Sequence, residues 1–252
     1  MPPLAAATLD GPGRMAFCPP EPRPACSPLV IATVGPDTAW LDGVDMIRLD
    51  AASHGLATLG RLRSDYDCPC LLDLPGLDTR RRNSLLTTSE FLVFASAEGF
   101  DWVGLRGVFS VEEIHHAREI LDPSIHVAAS VRLPDQLDEA ELGAIAAAAD
   151  ALVLPFGELA TELGAEQAVH HVERALVVAC RRRRPLLLSG GLLSSMSRSI
   201  MPEIEQLERL AGFAEDGCAG FVLTEETCGC PHPQLSVDTL HLVLAPTGLA
   251  PM

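Results

Sequence analysis

A strand, a helix and a second strand follow one another in the stretches DMIRLD (45–50), SHGLATLGRL (53–62) and PCLLDL (69–74). The two outer stretches are short apolar runs, which predict buried strands. The middle stretch spaces its apolar residues three and four positions apart, which predicts an amphipathic helix. Apolar strands joined by a helix are typical of parallel βαβ units, so this stretch indicates an α/β protein.

The same alternation continues along the chain on both sides of this unit. The predicted strands are LVIATV (29–34), DMIRLD (45–50), PCLLDL (69–74), DWVGLR (101–106), IHVAASV (125–131), DALVLP (150–155), PLLLSG (185–190) and AGFVLT (219–224). Eight such units close into a (β/α)8 TIM barrel, which is the fold we predict. The first helix is predicted to be shortened, because PDTAWLDGV (36–44) leaves room for barely one helical turn. A doubly wound open sheet is the alternative, but the glycine-rich turn typical of that fold is missing after the first strand.

Two regions are expected from the composition along the chain. Residues 1–27 are rich in proline and show no periodicity, so we expect a flexible leader that contributes little to the fold. Residues 28–252 carry the strand and helix pattern, and we expect them to form a single barrel domain.

Charge and composition exclude several classes of function. The formal net charge is −16, with 34 acidic against 18 basic residues, which argues against binding nucleic acid or an anionic membrane. All 18 basic residues are arginine, so the chain has no lysine that could form a Schiff base or clamp a phosphate as an ammonium group. The expected partner is a small-molecule oxyacid, and the chain could also form a homo-oligomer.

The cysteine content and the N-terminus indicate a reducing compartment. Eight cysteines in 252 residues are too few for a disulfide scaffold, so we expect free, mostly buried thiols. No signal peptide and no apolar run of about 20 residues is evident. We therefore expect a cytoplasmic protein.

Polar residues cluster where the predicted strands end, which is where a barrel of this kind places its active site. These residues are Thr33, Arg48, Asp50, Asp73, Arg106, Ser130, Arg132, Glu158, Ser189 and Glu226. Arginine suits a carboxylate or phosphate, and carboxylates can hold a divalent cation. The backbone amides of Ser189-Gly190-Gly191 lie where barrels often bind phosphate. Charged residues at strand ends also form structural salt bridges, and for each residue that alternative stays open.

Seven segments resemble the barrel domain of the pyruvate kinase family, in the same order. They are IATVGP (31–36), DMIRLDAASHG (45–55), LLDLPGLDTR (71–80), EGFDWVGLRGVFSVEEIHHAREIL (98–121), ADALVLPFGELATELG (149–164), RRPLLLSGGLLSSM (183–196) and EDGCAGFVLTEET (215–227). The resemblance implies a (β/α)8 barrel that binds an acid of the phosphoenolpyruvate or pyruvate type.

The resemblance, together with the residues that replace the family's own at Ser130 and Arg132, predicts roles for individual residues. The catalytic set would be Arg48, Ser130 and Arg132. The substrate-binding set would be Arg48, Arg80, Arg132, Ser189, Gly190 and Gly191. The metal ligands would be Asp50, Ser53, Asp73 and Glu158, and the expected cofactor is Mg²⁺.

The chain departs from the family at several of these positions. Ser130 stands where the family has its lysine, and Arg132 stands where the family has a metal-binding glutamate. Where the family inserts a lid domain after the third strand, this chain has only a short loop, and we expect no counterpart of the family's C-terminal regulatory domain. We therefore expect a weakened Mg²⁺ site and expect transfer of the phosphoryl group to ADP to be lost. A K⁺ site is not expected, because Asp50 and Leu74 replace an asparagine and a threonine of the family.

A second metal-binding motif lies after the last strand. Cys228, Cys230 and His232 are residue types that bind zinc. Two thiols and one imidazole are incomplete for a closed tetrahedral site, so we favour a loop that merely contains cysteine.

Two interpretations of function remain open at this point. The first is an enzyme with enolate-type lyase, decarboxylase or tautomerase chemistry on a small acid. The second is a non-catalytic sensor or scaffold that keeps the barrel and has lost the chemistry. An open rim would favour the first, and a rim closed by salt bridges with an apolar patch elsewhere would favour the second.

Overall fold

Eight parallel strands form a closed barrel in which each strand pairs with the next and β8 returns to β1. The computed structural model describes residues 27–75, 82–131 and 139–245. The strands are β1 (Leu29–Thr33), β2 (Met46–Asp50), β3 (Cys70–Leu74), β4 (Trp102–Arg106), β5 (His126–Ser130), β6 (Ala151–Pro155), β7 (Leu186–Ser189) and β8 (Gly220–Leu223). The predicted (β/α)8 barrel is confirmed, and each strand lies within its predicted stretch.

Helices surround the barrel and connect its strands. They are α1 (Leu56–Asp65), α2 (Arg82–Glu98), α3 (Val111–Ile120), α4 (Glu139–Ala148), α5 (Phe156–Leu163), α6 (Ala165–Arg182), α7 (Ile204–Glu215), α8 (Glu225–Cys228) and α9 (Pro233–Leu244). A short 3₁₀ helix, Ser194–Ser197, follows β7. None of the helices in the described ranges is long and apolar enough to cross a membrane.

The connection from β1 to β2 differs from the prediction. Residues 34–45 form turns, where the sequence predicts a shortened helix. The amide of Gly35 donates to Oγ1 of Thr38 (2.8 Å), and the amide of Thr38 donates back to the Gly35 carbonyl (3.1 Å). Gly43 has a positive φ of 80°, a conformation that interrupts a right-handed helix.

Helix α9 fastens this connection to the barrel. Gln234 accepts a hydrogen bond from the amide of Asp42 (2.8 Å) and donates one to its carbonyl (3.0 Å). Nε2 of His241 lies 2.7 Å from the carbonyl oxygen of Gly43. These contacts satisfy backbone groups that a helix between β1 and β2 would have paired internally.

The core divides into an outer and an inner layer because side chains alternate along each strand. Residues such as Val30, Ile47 and Leu72 belong to the large cluster packed with the helices. Their neighbours in sequence form a small separate cluster, consisting of Ile31, Met46, Leu71, Ala128, Ala151, Leu187 and Val222. The period of two continues past this inner layer, so it also brings Arg48, Asp73 and Arg106 to the barrel interior at the carboxyl ends.

The described cysteines carry free thiols. Cys68, Cys70, Cys218 and Cys228 are buried, and Cys180 is exposed. These positions agree with the expectation of free, mostly buried thiols, whereas Cys18 and Cys26 lie outside the described residues.

Candidate functional site

A cavity of about 270 Å³ lies at the carboxyl ends of the strands. Its lining comes from β1, β2, β4, β6, β7, β8 and the segments that follow them. The lining residues are Thr33, Arg48, Asp50, Arg106, Pro155, Glu158, Ser189, Gly190, Val222, Thr224, Glu225 and Glu226. This is the end of the barrel where the sequence predicts the site.

Asp73 joins the two lining arginines. It is the penultimate residue of β3, which pairs with β2 and β4, and only 5% of its surface is exposed. Oδ2 of Asp73 accepts from Nε of Arg48 (3.1 Å) and from Nε of Arg106 (3.2 Å), and the NH2 group of each guanidinium also donates to it. A buried carboxylate shared by two guanidinium groups holds both side chains in fixed orientations.

Further contacts complete this network. Arg48 donates through NH1 to Oγ1 of Thr33 (3.0 Å). NH2 of Arg106 lies 3.1 Å from Oδ1 of Asp50. Burial by itself would lower the pKa of the Arg106 guanidinium, but the neighbouring carboxylates of Asp73 and Asp50 outweigh this effect and raise that pKa above its ordinary value. The two carboxylates therefore favour the charged form of the Arg106 guanidinium.

Gly104 leaves the space that Asp73 occupies. The two residues are register partners in the β3–β4 ladder. A Cβ atom on Gly104 would lie 2.7 Å from Oδ1 of Asp73, closer than real Cβ contacts come. The glycine thus permits a carboxylate to sit inside the barrel between two arginines.

Close backbone packing forms the β6–β7 side of the cavity. Helix α5 starts directly after β6 and carries Glu158 in its first turn. A Cβ atom on Gly157 would lie 2.7 Å from the carbonyl carbon of Gly190. Gly190 and Gly191 both have positive φ, 77° and 69°, so this turn is accessible to glycine and strained for other residues.

Two glutamates border the cavity after β8. Thr224 caps the short helix α8 by accepting from the amide of Thr227 (3.4 Å), and Glu225 and Glu226 follow it. Nε2 of His54 is buried and lies 3.4 Å from Oε1 of Glu225. The two atoms do not form a hydrogen bond, and among the described residues Nε2 has no other hydrogen-bond partner. Gly35 makes room for the Glu225 carboxylate, because a Cβ atom there would lie 2.4 Å from Oε1.

The structure brings together part of the predicted site. Arg48, Asp50, Glu158, Ser189 and Gly190 line the cavity. Gly191 follows Gly190 in the same turn, and Asp73 lies behind the arginines.

Two other predicted residues are described and do not line the cavity, and two lie outside the described residues. Ser130 is buried at the end of β5 and Ser53 is exposed in the turn after β2, and neither lines the cavity. Arg80 and Arg132 lie outside the described residues, so their predicted roles stay predictions.

The chain has curated relatives, although no family model matches it. It is 25% identical over 175 residues to a pyruvate kinase of Geobacillus stearothermophilus, covering 68% of this chain and 28% of that enzyme. It is 27% identical over 176 residues to a pyruvate kinase of Mycobacterium tuberculosis, covering 69% and 37%. A chloroplastic pyruvate kinase isozyme A of Ricinus communis matches at 24% over 222 residues, covering 79% and 38%.

The chain is a divergent relative of the pyruvate kinases. The resemblance seen in the sequence is thereby confirmed. The match spans between about a quarter and two fifths of the relatives' own lengths, 28% to 38% in these three.

The residues of this pyruvate kinase relative that the structure describes do not fit a magnesium ion by themselves. In the described ranges no group of three or more His, Cys, Asp or Glu side chains could hold a metal. Asp73, one of the predicted ligands, gives its carboxylate to two arginines instead. Cys228, Cys230 and His232 likewise form no such group, so the geometry supports neither the predicted magnesium site nor the zinc alternative at these three residues.

Arg106 and Glu225 are the site residues to which sequence reasoning gave no role. Arg106 was visible as a strand-end arginine, yet its position across Asp73 from Arg48 depends on the pairing of three strands. Glu225 stands next to Glu226 in the sequence, and only the turn after β8 shows that both line the cavity.

Proposed function

We propose that this pyruvate kinase relative binds a small carboxylic acid at the barrel mouth and does not transfer a phosphoryl group to a nucleotide. The family relationship suggests acids of the phosphoenolpyruvate and pyruvate type. The observation that carries the proposal is the pair of guanidinium groups, Arg48 and Arg106, that line the cavity while Asp73 holds them.

The geometry of the two arginines supports carboxylate binding. Both contact Asp73 through Nε and NH2, and among the described residues NH1 of Arg106 has no hydrogen-bond partner. A carboxylate accepts charge-assisted bonds from such a donor, and a side chain already held in place loses little entropy on binding. At about 270 Å³ the cavity suits an acid of a few carbon atoms, because pockets for drug-sized ligands measure about 300–1,000 Å³.

The composition supports the loss of phosphoryl transfer. The migrating phosphoryl group needs concentrated positive charge, and this chain of 252 residues contains no lysine. Among the described residues, the two cavity arginines that could substitute, Arg48 and Arg106, are already paired with Asp73 and Asp50. The same donors would stabilise an enolate oxygen formed when a proton leaves the carbon next to a carbonyl, so enolate chemistry is the activity we propose for an enzyme of this design.

Binding of small carboxylates tests the proposal. We expect a panel of two- to four-carbon carboxylates to raise the melting temperature of the protein, and we expect Arg106→Gln to abolish the increase. Arg181→Gln is the matched control, since it removes a guanidinium that pairs with Glu139 on the barrel's outside, and it should bind normally. Phosphoenolpyruvate with ADP, Mg²⁺ and K⁺ should yield no pyruvate above the blank. The proposal fails if no carboxylate binds, or if pyruvate and ATP form at ordinary enzyme rates.

A non-catalytic role is the second candidate, and two observations favour it. The rim carries an ion-pair network of Arg48, Arg106, Asp50 and Asp73, which occupies much of the guanidinium charge. Ile200 and Met201, ahead of α7, and Ile204, its first residue, are 59%, 71% and 68% exposed. Incubation with pyruvate in D₂O separates the candidates, because an enolate-forming enzyme exchanges the methyl protons and a scaffold leaves them unchanged.

A further inference from the structure

The charges around the cavity are distributed unevenly. On the β2–β4 side, Arg48 and Arg106 are balanced by Asp50 and Asp73, through the ion pairs described above. On the β6–β8 side, the lining holds three carboxylates, those of Glu158, Glu225 and Glu226, and no arginine from the described residues. Oε1 of Glu226 accepts a hydrogen bond from Oγ of Ser197 (3.3 Å), and Nε2 of His54 lies 3.4 Å from Oε1 of Glu225. The cavity therefore presents guanidinium donors on one side and a wall of carboxylates, the acidic wall, on the other.

The barrel topology sets these two sides opposite each other. The strands close in sequence order, so β3 and β7 stand across the barrel. Arg48 lies on β2 and Arg106 ends β4, on either side of β3, whereas Glu158 follows β6 and Glu225 follows β8. A ligand that reaches across the cavity meets hydrogen-bond donors at one end and carboxylates at the other.

We infer that the ligand of this cavity is a small zwitterion of the α-amino acid class, with its carboxylate on Arg106 and its ammonium group against Glu225 and Glu226. The inference rests on the proposed function for the carboxylate end and adds the cationic group. An ammonium group offers three donors, which carboxylate oxygens accept, and its charge offsets the acidic wall. A purely anionic acid meets repulsion at that wall, and the net charge of −16 adds to it.

A metal ion is a poorer match for the acidic wall than an ammonium group. Magnesium requires near-octahedral oxygen coordination at short distances, and the described residues provide no group of three suitable side chains. Ammonium binding is less demanding, because one or two carboxylates at the wall suffice. His54 lies behind Glu225, with Nε2 3.4 Å from Oε1, and is not part of the lining.

Calorimetric titration of matched acid pairs tests the inference. The probes are L-alanine, L-serine and L-aspartate, each compared with its 2-oxo counterpart: pyruvate, hydroxypyruvate and oxaloacetate. L-alaninamide supplies the ammonium group without the carboxylate. We expect at least one amino acid to bind ten times more tightly than both its 2-oxo acid and its amide.

Substitutions then assign the two ends. Glu225→Gln combined with Glu226→Gln should reduce the tenfold preference to less than threefold, because the acidic wall is lost while the arginines remain. Glu139→Gln, on the outer surface of α4, is the matched control and should leave the preference unchanged. Arg106→Gln should weaken the amino acid and the oxo acid together.

Each outcome decides a different point. Equal or tighter binding of the 2-oxo acids, with or without Mg²⁺, overturns the zwitterion and leaves the proposed function intact. Equal binding of the amide overturns the inference, because the carboxylate then contributes nothing. Absence of binding by every probe that carries a carboxylate overturns the proposed function and the inference together.

Discussion

Gly104 and Asp73 depend on each other at the level of single residues. Asp73 is buried and bonded to two guanidinium groups, so its carboxylate has no room to move away from a new methyl group. Gly104→Ala would place that methyl 2.7 Å from Oδ1. We expect the substitution to lower the free energy of unfolding by about 1–3 kcal/mol, the usual cost of overpacking, and to weaken carboxylate binding.

A second glycine provides the control for this prediction. Gly212 lies in α7, and a Cβ atom there meets nothing within 4 Å. Gly212→Ala should therefore stabilise the protein by up to about 1 kcal/mol, through helix propensity. Urea denaturation of both variants makes the comparison, and equal stabilities would show that Asp73 is not held as described.

At the scale of elements, helix α9 supplies hydrogen bonds to the β1–β2 connection, which has no helix of its own. Gln234 bonds both the amide and the carbonyl of Asp42 in the connection between β1 and β2. Gln234→Ala removes both bonds, and we expect a loss of about 1 kcal/mol and faster amide exchange confined to residues 34–45. Hydrogen exchange read by mass spectrometry measures the effect on this segment.

The same helix offers a matched control. Leu242 is 80% exposed, so Leu242→Gln changes α9 without touching the connection. It should leave both stability and exchange in residues 34–45 unchanged. If exchange in this segment stays unaltered in Gln234→Ala, the turns are stable without α9.

Buried thiols make the whole molecule sensitive to alkaline conditions. Burial raises the pKa of the Cys218 and Cys228 thiols from 9.0 to about 12. Both thiols are neutral in the folded and unfolded chains below pH 9, so their contribution to stability is fully present there. Between pH 9 and 12 the unfolded chain releases these protons while the folded protein keeps them, and stability falls.

Denaturant midpoints measured from pH 8 to 11 test this expectation. Cys218→Ala should make the decline with pH shallower, whereas Cys180→Ala, at an exposed position, should leave the slope as in the parent chain. Tyr66, whose pKa burial raises from 10.0 to about 12, contributes to the decline in all three proteins. An identical slope in Cys218→Ala and the parent protein would contradict the prediction.

The sequence by itself determined the strands of the barrel and the end of it that carries the cavity. Apolar runs and helical spacing are local patterns, so the strands can be predicted from short stretches of sequence. Once a strand is predicted, the polar residues at its carboxyl end are known as well. The absence of lysine can likewise be read directly from the sequence, and it excludes catalysis by a lysine ammonium group of this chain.

Tertiary structure alone decided how the charges combine. Arg48, Asp73 and Arg106 are 25 and 33 residues apart, and they meet because β2, β3 and β4 pair in one register and alternate with a period of two. The acidic wall faces them only because the barrel closes and sets β6–β8 across from β2–β4. The turns between β1 and β2 in turn depend on Gln234, 192 residues away from Asp42. Ion pairs and such distant hydrogen bonds depend on register and closure, which no local pattern encodes.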